Sequence, residues 1–238
     1  GHGLLRILGG LREQYPLLGI ADEEVGRLAE ATGAGANFTR ITPDDLEVLL
    51  RYGATSDLDN RPGHRLPMEP PHGALAMAWR SPEDIEEWLE TAPRRLSADE
   101  ASAQRAALAD FRRLGYAVYQ LQNDPHTMIE RIRELLGAVP PDAAVAEVRH
   151  KLGHFAAIVG ADAYSAAQLA IRQRRGVSYV IAPVFGPDGQ PRYLISLHVM
   201  REAVPPDELD RYIAELTRSA RTLTACIGGT WRGAAGPE

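Results

Sequence analysis

One stretch near the C-terminus constrains the fold more than any other part of the chain. Residues 177–185 form an apolar run, residues 186–189 read Gly-Pro-Asp-Gly, and residues 192–200 return with regular alternation. Glycine, proline and aspartate are typical turn residues, and a period of two is typical of a strand with two different faces. We therefore predict a β-hairpin whose return strand has one apolar and one more polar face. The apolar face is Tyr193, Ile195, Leu197 and Val199, and the other is Leu194, Ser196 and His198.

Short helices and strands interleave along the rest of the chain. Ser81-Pro82 and the segment 97–100 (Ser-Ala-Asp-Glu) are helix-start signals, because a serine side chain can cap the first free backbone N–H groups. Asp22 to Thr32 has helical apolar spacing and is followed by Gly33, a typical helix end. Strands are predicted at 36–41, 46–52 and 116–121, a short buried helix at 73–79, and a final helix at 206–227. This order predicts an α+β fold with an antiparallel sheet.

Residues 122–175 are predicted to form a helical insert before the last hairpin. Apolar side chains recur at helical spacing over 128–136 and over 145–159, and the alanine-rich stretch 163–171 could form a third helix. Apolar stripes of this kind must be buried against something. We expect the insert to cover the mouth of a pocket as a lid, to extend a dimer interface, or to do both.

The charge balance and the cysteine content exclude several functions. The 238 residues include 26 Lys+Arg against 32 Asp+Glu, a net charge of -6, whereas a free-standing DNA-binding domain has a basic footprint. The one cysteine excludes an internal disulfide and a cysteine-based zinc or iron–sulfur site. No apolar run reaches the roughly 18 residues of a membrane helix, and no secretory leader is recognisable. We predict a cytoplasmic protein without a cofactor or a membrane partner.

Five segments occur in an order that resembles one protein family. Each is a short motif with glycine, proline or an apolar run at fixed places, and the last is the hairpin itself. They are Leu28-Ala29-Glu30-Ala31-Thr32-Gly33, Arg65-Leu66-Pro67-Met68, Gly73-Ala74-Leu75-Ala76, Leu114-Gly115-Tyr116 and residues 176–199. Together they resemble the effector-binding domain of IclR-type transcription regulators, over residues 20–121 and 176–229.

The resemblance implies a GAF-like curved antiparallel sheet, flanked by helices, whose concave face binds a small effector. It also implies a homodimer or tetramer that contacts DNA only through an N-terminal winged helix, which this chain does not include. We expect residues 1–19 to be the linker helix from that domain, or merely a helix that caps this one, with Gly1-His2 as an expression scar. The effector-binding domain is expected at 20–229, and a frayed tail at 230–238.

The same resemblance implies candidate ligand-binding residues. Family members contact the effector from the start of the short buried helix and from inward-facing positions of the last hairpin. Where the family has an effector-contacting carboxylate, this chain has a tyrosine. The matching positions are Gly73, Ala74, Tyr119, Tyr179, Ser196 and His198.

The expected geometry of the hairpin agrees with a polar site. If residues 186–189 form the turn, Tyr179 lies directly opposite Ser196 and shares its face. Buried polar groups need partners, and a ligand could supply them, together with free N–H groups at the start of the helix at Gly73. We therefore expect a small organic or aromatic acid to bind here. The alternative is that Tyr179, Ser196 and His198 face solvent or bond to one another.

Metal binding and catalysis are weaker interpretations. Glu147, His150 and His154 fall on one side of a predicted helix and could share a metal, but a solvated helix face explains them better, and we predict no metal. No nucleophile elbow, phosphate-binding loop or dinucleotide fingerprint is present, so we predict no enzyme. The predicted function is small-molecule sensing for an IclR-type regulator. The alternatives are a dimerisation or interaction module with a vestigial pocket, and a small-molecule enzyme.

Overall fold

The computed structural model describes residues 16–53, 61–121 and 162–233. In these ranges helices lie on both faces of a six-stranded sheet. The helices are α1 (Pro16–Thr32), α2 (Ala74–Met77), α3 (Pro82–Glu90), α4 (Ala98–Leu114), α5 (Ala166–Ala170) and α6 (Pro206–Cys226). The strands are β1 (Gly35–Ile41), β2 (Asp45–Tyr52), β3 (Arg65–Pro67), β4 (Ala117–Gln120), β5 (Arg175–Phe185) and β6 (Pro191–Val204).

The predicted hairpin lies at the centre of the sheet. The strand order is β3-β2-β1-β6-β5-β4, and every neighbouring pair is antiparallel. The antiparallel α+β architecture is therefore confirmed. Because β5 and β6 are the two longest strands, with 11 and 14 residues, they carry most of the surface onto which helices pack.

Helices α1 and α6 cover one face of the sheet and form the α1/α6 core. Phe38 of β1 and Leu197 of β6 are fully buried there, together with Leu28 of α1 and Leu216 and Leu223 of α6. Fully burying one such side chain contributes roughly 1.5–3 kcal/mol relative to leaving it exposed. This face of β6 agrees with the apolar face predicted from alternation, which contains Ile195 and Leu197.

Helices α2, α3 and α4 cover the opposite face and form the α2–α4 core. Trp79, Trp88, Phe111 and Phe185 are buried in it. The rings of Trp79 and Phe185 meet edge to face with their centroids 4.9 Å apart, a favourable arrangement of aromatic rings. The candidate ligand-binding residues lie on this side of the sheet.

The helix ends follow the predicted signals. Ser81 and Ser97 each form a capping box, in which the serine side chain accepts from the N3 backbone N–H and the N3 carboxylate accepts in return. Helix α4 ends at Gly115, which has φ 83° in the left-handed region. Helix α1 begins at Pro16, earlier than the predicted Asp22, so residues 16–19 of the expected linker belong to it.

Strand β6 continues to Val204, four residues beyond the predicted end at Met200, and two other elements also differ from their prediction. The short buried helix spans only Ala74–Met77 instead of 73–79, because Gly73 at its start has φ 78° and is not helical. Strand β3 at Arg65–Pro67 was not expected; it is three residues long and pairs at the sheet edge with β2. A strand so short has no alternation that a sequence pattern could show.

Part of the expected helical insert is described. Residues 162–175 contain α5, which covers only 166–170 of the predicted stretch 163–171, and Ala163 bridges to Tyr119 of β4. Arg175 is buried and fixes α5 to the sheet, because its guanidinium donates to the carbonyls of Gln168 and Ile171. The apolar stripes at 128–136 and 145–159 lie outside the described residues.

The described residues after α6 pack against the rest of the domain. Trp231 lies edge to face against Phe185, with ring centroids 5.7 Å apart, and Arg221 stacks over the same indole at 5.4 Å. Residues 230–233, expected to be frayed, therefore contact the sheet without forming a regular element. Residues 234–238 and 1–15 lie outside the described ranges.

Candidate ligand-binding face

Ser196 and His198 lie on the side of β6 that faces away from the α1/α6 core. The intervening Ile195 and Leu197 are fully buried in that core, and successive strand residues point to opposite faces. Ser196 is only 6% exposed and His198 only 4%. The predicted polar face is therefore confirmed, and it is buried under helices instead of facing solvent.

Tyr179 shares this face, but its partner differs from the predicted one. Tyr179 pairs with His198 and Ile181 pairs with Ser196, because Phe185 pairs with Pro191 at the turn and the pairing is irregular between Val184 and Phe185. The shift amounts to two residues, so each side chain keeps its face. The tyrosine ring and the imidazole meet edge to face with centroids 4.9 Å apart and an interplanar angle of 85°.

Tyr119 lies on the same side, at the position where the resemblance implies a carboxylate. It belongs to the α2–α4 core, whereas Val118 before it belongs to the α1/α6 core. Its ring lies 6.2 Å from that of Phe111 in α4, at a tilt of 48°. Burial raises the pKa of the Tyr119 hydroxyl above its ordinary value, so this residue contributes a neutral aromatic surface where a charge was implied.

The burial of Tyr119 predicts a loss of stability at high pH. The unfolded chain ionises this hydroxyl above about pH 10 while the folded protein keeps it protonated. The stabilising contribution is therefore present below pH 10 and decreases by about 1.4 kcal/mol per pH unit above it. Tyr119→Phe should reduce the slope of the free energy of unfolding against pH, measured by urea unfolding between about pH 9 and 11. An unchanged slope would contradict the buried placement.

Gly73 and Ala74 lie at the start of α2, over the same face. Ala74 is 5% exposed and belongs to the α2–α4 core with Leu194. A Cβ on Gly73 would lie 2.1 Å from Sδ of Met68, so the backbone and this methionine are in close contact. Helix α2 has only four residues, so few aligned peptide dipoles add to the free N–H groups expected at its start.

Two polar residues of β1 that the sequence reasoning missed extend the face. Asn37 pairs with Ser196 and Thr39 pairs with Leu194, and both are only 6% exposed. The sequence contains a signal for their orientation, since they alternate with Ala36 and Phe38, which belong to the α1/α6 core. Without the strand order, however, nothing in the sequence places β1 beside β6.

A cationic side chain borders the same row. Arg51 of β2 pairs with Asn37, and Tyr52, next along the strand, packs toward the α1/α6 core. Directly opposed residues share a face, so Arg51 lies on the polar side. The face therefore combines hydroxyl, amide, imidazole and guanidinium groups with the rings of Tyr119 and Tyr179, a set suited to a polar ligand with an aromatic or compact apolar body.

Metal binding gains no support from the described residues. Within 16–53, 61–121 and 162–233, no three histidine, cysteine or acidic side chains are grouped as a metal would need. Glu147, His150 and His154 lie outside these ranges. No helix in the described parts of the chain is long and apolar enough to cross a membrane.

Comparisons with known proteins identify the fold. The sequence matches no family model and no curated protein. The C-terminal domain of the E. coli transcriptional regulator KdgR is 16% identical, with a TM-score of 0.51 over 89% of this chain and 98% of that domain. An IclR transcriptional regulator from Alicyclobacillus acidocaldarius is 15% identical, with a TM-score of 0.59 over 94% of this chain and 74% of the regulator.

A third similar structure contains a ligand. It is an IclR homolog from Microbacterium hydrocarbonoxydans complexed with 4-hydroxybenzoate, 17% identical, with a TM-score of 0.53 over 89% of this chain and 68% of the homolog. The first two similar proteins are transcriptional regulators, and the third is an IclR homolog. The curved antiparallel sheet implied by the resemblance is thereby confirmed. The described part of the chain has the fold of the C-terminal domain of IclR-type transcriptional regulators.

Proposed function

We propose that this chain is a ligand-sensing domain and that it binds a small organic acid on the buried polar face of its sheet. The observation that carries the proposal is the contrast between the two faces of β1 and β6. Toward the α1/α6 core the buried side chains of these strands are apolar, such as Phe38 and Leu197. Toward the α2–α4 core they present Asn37, Ser196 and His198, each nearly as deeply buried.

A face that only packs does not need this contrast. Apolar side chains of similar volume would fill the same space without burying groups that must be hydrogen-bonded. Retaining a polar row at the centre of the sheet is consistent with a binding role, since functional sites commonly sacrifice stability.

The chemistry of the face favours an acid. Hydroxyl and imidazole groups of Ser196 and His198 donate well to a carboxylate, and the Arg51 guanidinium adds positive charge at one end of the row. The rings of Tyr119 and Tyr179 are suited to an aromatic body. The 4-hydroxybenzoate in the Microbacterium hydrocarbonoxydans homolog is a ligand of this class, and it makes aromatic acids the first compounds to test.

Signalling in such a domain requires two arrangements with different affinities for the ligand. Helix α1 is the element suited to transmit the difference. Arg27 of α1 donates to Glu215 at 2.8 Å and to Ser219 of α6 at 2.6 Å, so hydrogen bonds connect α1 to α6. We propose that α1 continues into a linker to an N-terminal DNA-binding domain, in a cytoplasmic homodimer or tetramer.

The binding proposal is tested with organic and aromatic acids, 4-hydroxybenzoate first, by thermal shift and calorimetry. A ligand at 100 times its Kd should stabilise the protein by about 2.7 kcal/mol. The double variant Ser196→Val and His198→Leu should lose this stabilisation, and urea unfolding checks that the variant itself is folded.

A control variant separates the site from general effects. Ser102 lies on the exposed side of α4. The variant Ser102→Val should bind the acid with the same affinity as the unmodified protein. If the double variant binds an acid with unchanged affinity, the ligand site is elsewhere. If no acid in the panel stabilises the unmodified protein, an interaction module becomes the better interpretation.

A further inference from the structure

A groove outside the proposed site lies between the end of α2, the start of α3 and one side of α4. It encloses a volume of about 310 Å³, at the lower end of the size range of small-molecule sites. None of its lining residues belongs to a strand, so it is separate from the polar sheet face. Its apolar lining is Ala78, Pro82, Ile85, Leu108 and Ala109.

The periodicity of α4 places two arginines in this groove. Arg105 and Arg112 are seven residues apart, with Leu108 and Ala109 between them on the same side of the helix. At 1.5 Å per residue their Cα atoms are separated by roughly 10 Å along the helix axis. Leu108 is only 2% exposed, so the floor between the two guanidinium groups is apolar.

The groove is positively charged on a chain whose net charge is -6. It is lined by Arg80, Arg105 and Arg112 and by one carboxylate, Glu86, a net charge of +2. Arg105 donates to both oxygens of Glu86, at 2.7 and 2.6 Å, and this hydrogen bond lowers the pKa of the carboxyl group. The charge of Arg105 is thus balanced by the carboxylate of Glu86.

Arg112 and Arg80 have no carboxylate partner among the described residues. Arg112 donates from Nε to the carbonyl of Ala78 at 2.6 Å and from Nη2 to the carbonyl of Arg80 at 3.2 Å. These bonds fix the guanidinium at the end of α2 without neutralising its charge. Arg80 is exposed at the mouth of the groove, where its side chain is available to an incoming anion.

We propose that this groove is a second ligand site, which binds an organic dianion with an apolar body. The carboxylates of such a ligand would pair with Arg80 and Arg112, because guanidinium groups match the geometry of a carboxylate. Its body would lie on Leu108 and Ala109. A small aromatic dicarboxylate has this combination of charge and shape, whereas inorganic phosphate lacks the apolar part.

The site is tested with phthalate, which is an aromatic dianion at neutral pH, and the full 238-residue chain. Backbone amide shifts of Ala109 and Arg112, followed by NMR at low ionic strength, report on this groove and not on the sheet. We expect saturable shifts with phthalate, and none with uncharged dimethyl phthalate or with inorganic phosphate. Equal shifts with either of these compounds would overturn the proposal, as would the absence of saturable shifts at millimolar phthalate.

Matched variants give effects of opposite sign. Arg80→Gln removes one charge with little change of volume and should raise the Kd for phthalate about fivefold. Glu86→Gln removes the competing carboxylate and frees Arg105, so the Kd should fall about threefold. Arg95→Gln changes an exposed arginine outside the groove and should leave the Kd unchanged. A Kd that is equal in all three variants would overturn the proposal.

Discussion

Gly229→Ala is expected to lower the free energy of unfolding by about 3 kcal/mol or more. A Cβ at this position would lie 1.9 Å from the carbonyl oxygen of Phe185 and 3.1 Å from that of Gly186. Both are backbone atoms at the end of β5, so neither can move like a flexible side chain. The segment after α6 would have to leave the sheet, and the contact between Trp231 and Phe185 would be lost with it.

A second glycine provides a control of opposite sign. Gly19 lies within α1, and a Cβ there would meet no atom within 4 Å. Gly19→Ala should therefore stabilise the protein by roughly 0.5–1 kcal/mol, because alanine is the better helix former. Urea unfolding of the two variants measures both effects. Equal stability of the two variants would show that the C-terminal segment does not pack as described.

Leu197→Ala is expected to cost about 3 kcal/mol of unfolding free energy without weakening ligand binding. Leu197 is fully buried in the α1/α6 core, and truncating a buried leucine removes its burial and leaves a cavity. Its side chain points away from the polar face, so the folded fraction should bind an acid within about twofold of the unmodified protein.

The neighbouring residue gives the complementary result. Ser196→Val should change stability by less than about 1 kcal/mol and should weaken acid binding, since the side chain lies on the opposite face. Calorimetric titration together with urea unfolding separates the two properties. If Leu197→Ala weakened binding as strongly as Ser196→Val, the assignment of ligand binding to the polar face alone would be wrong.

Local signals in the sequence predict much of the fold. The capping boxes at Ser81 and Ser97 and the left-handed Gly115 fix helix ends through backbone hydrogen bonds within a few residues. The faces of β6 follow from alternation alone. These features depend on neighbours in the chain, so the sequence pattern contains the information they need.

Features that depend on tertiary contacts are less predictable. The partner of Tyr179 is shifted by two residues. One comes from the turn, where Phe185 pairs with Pro191, and one from the irregular pairing between Val184 and Phe185, and no local motif marks either change. Asn37 lies in the site only because β1 pairs with β6, a strand that is far away in the sequence. The groove beside α4 depends in the same way on how α2, α3 and α4 pack together.

The most direct test of the proposed sensing site is a crystal structure of the protein with an acid bound, starting with 4-hydroxybenzoate or the acid that stabilises it most. We predict that the carboxylate lies within hydrogen-bond distance of Ser196 Oγ or the His198 imidazole, with the ligand body between the sheet and α2. An acid bound only at another surface, with the polar face unchanged, would contradict the central claim.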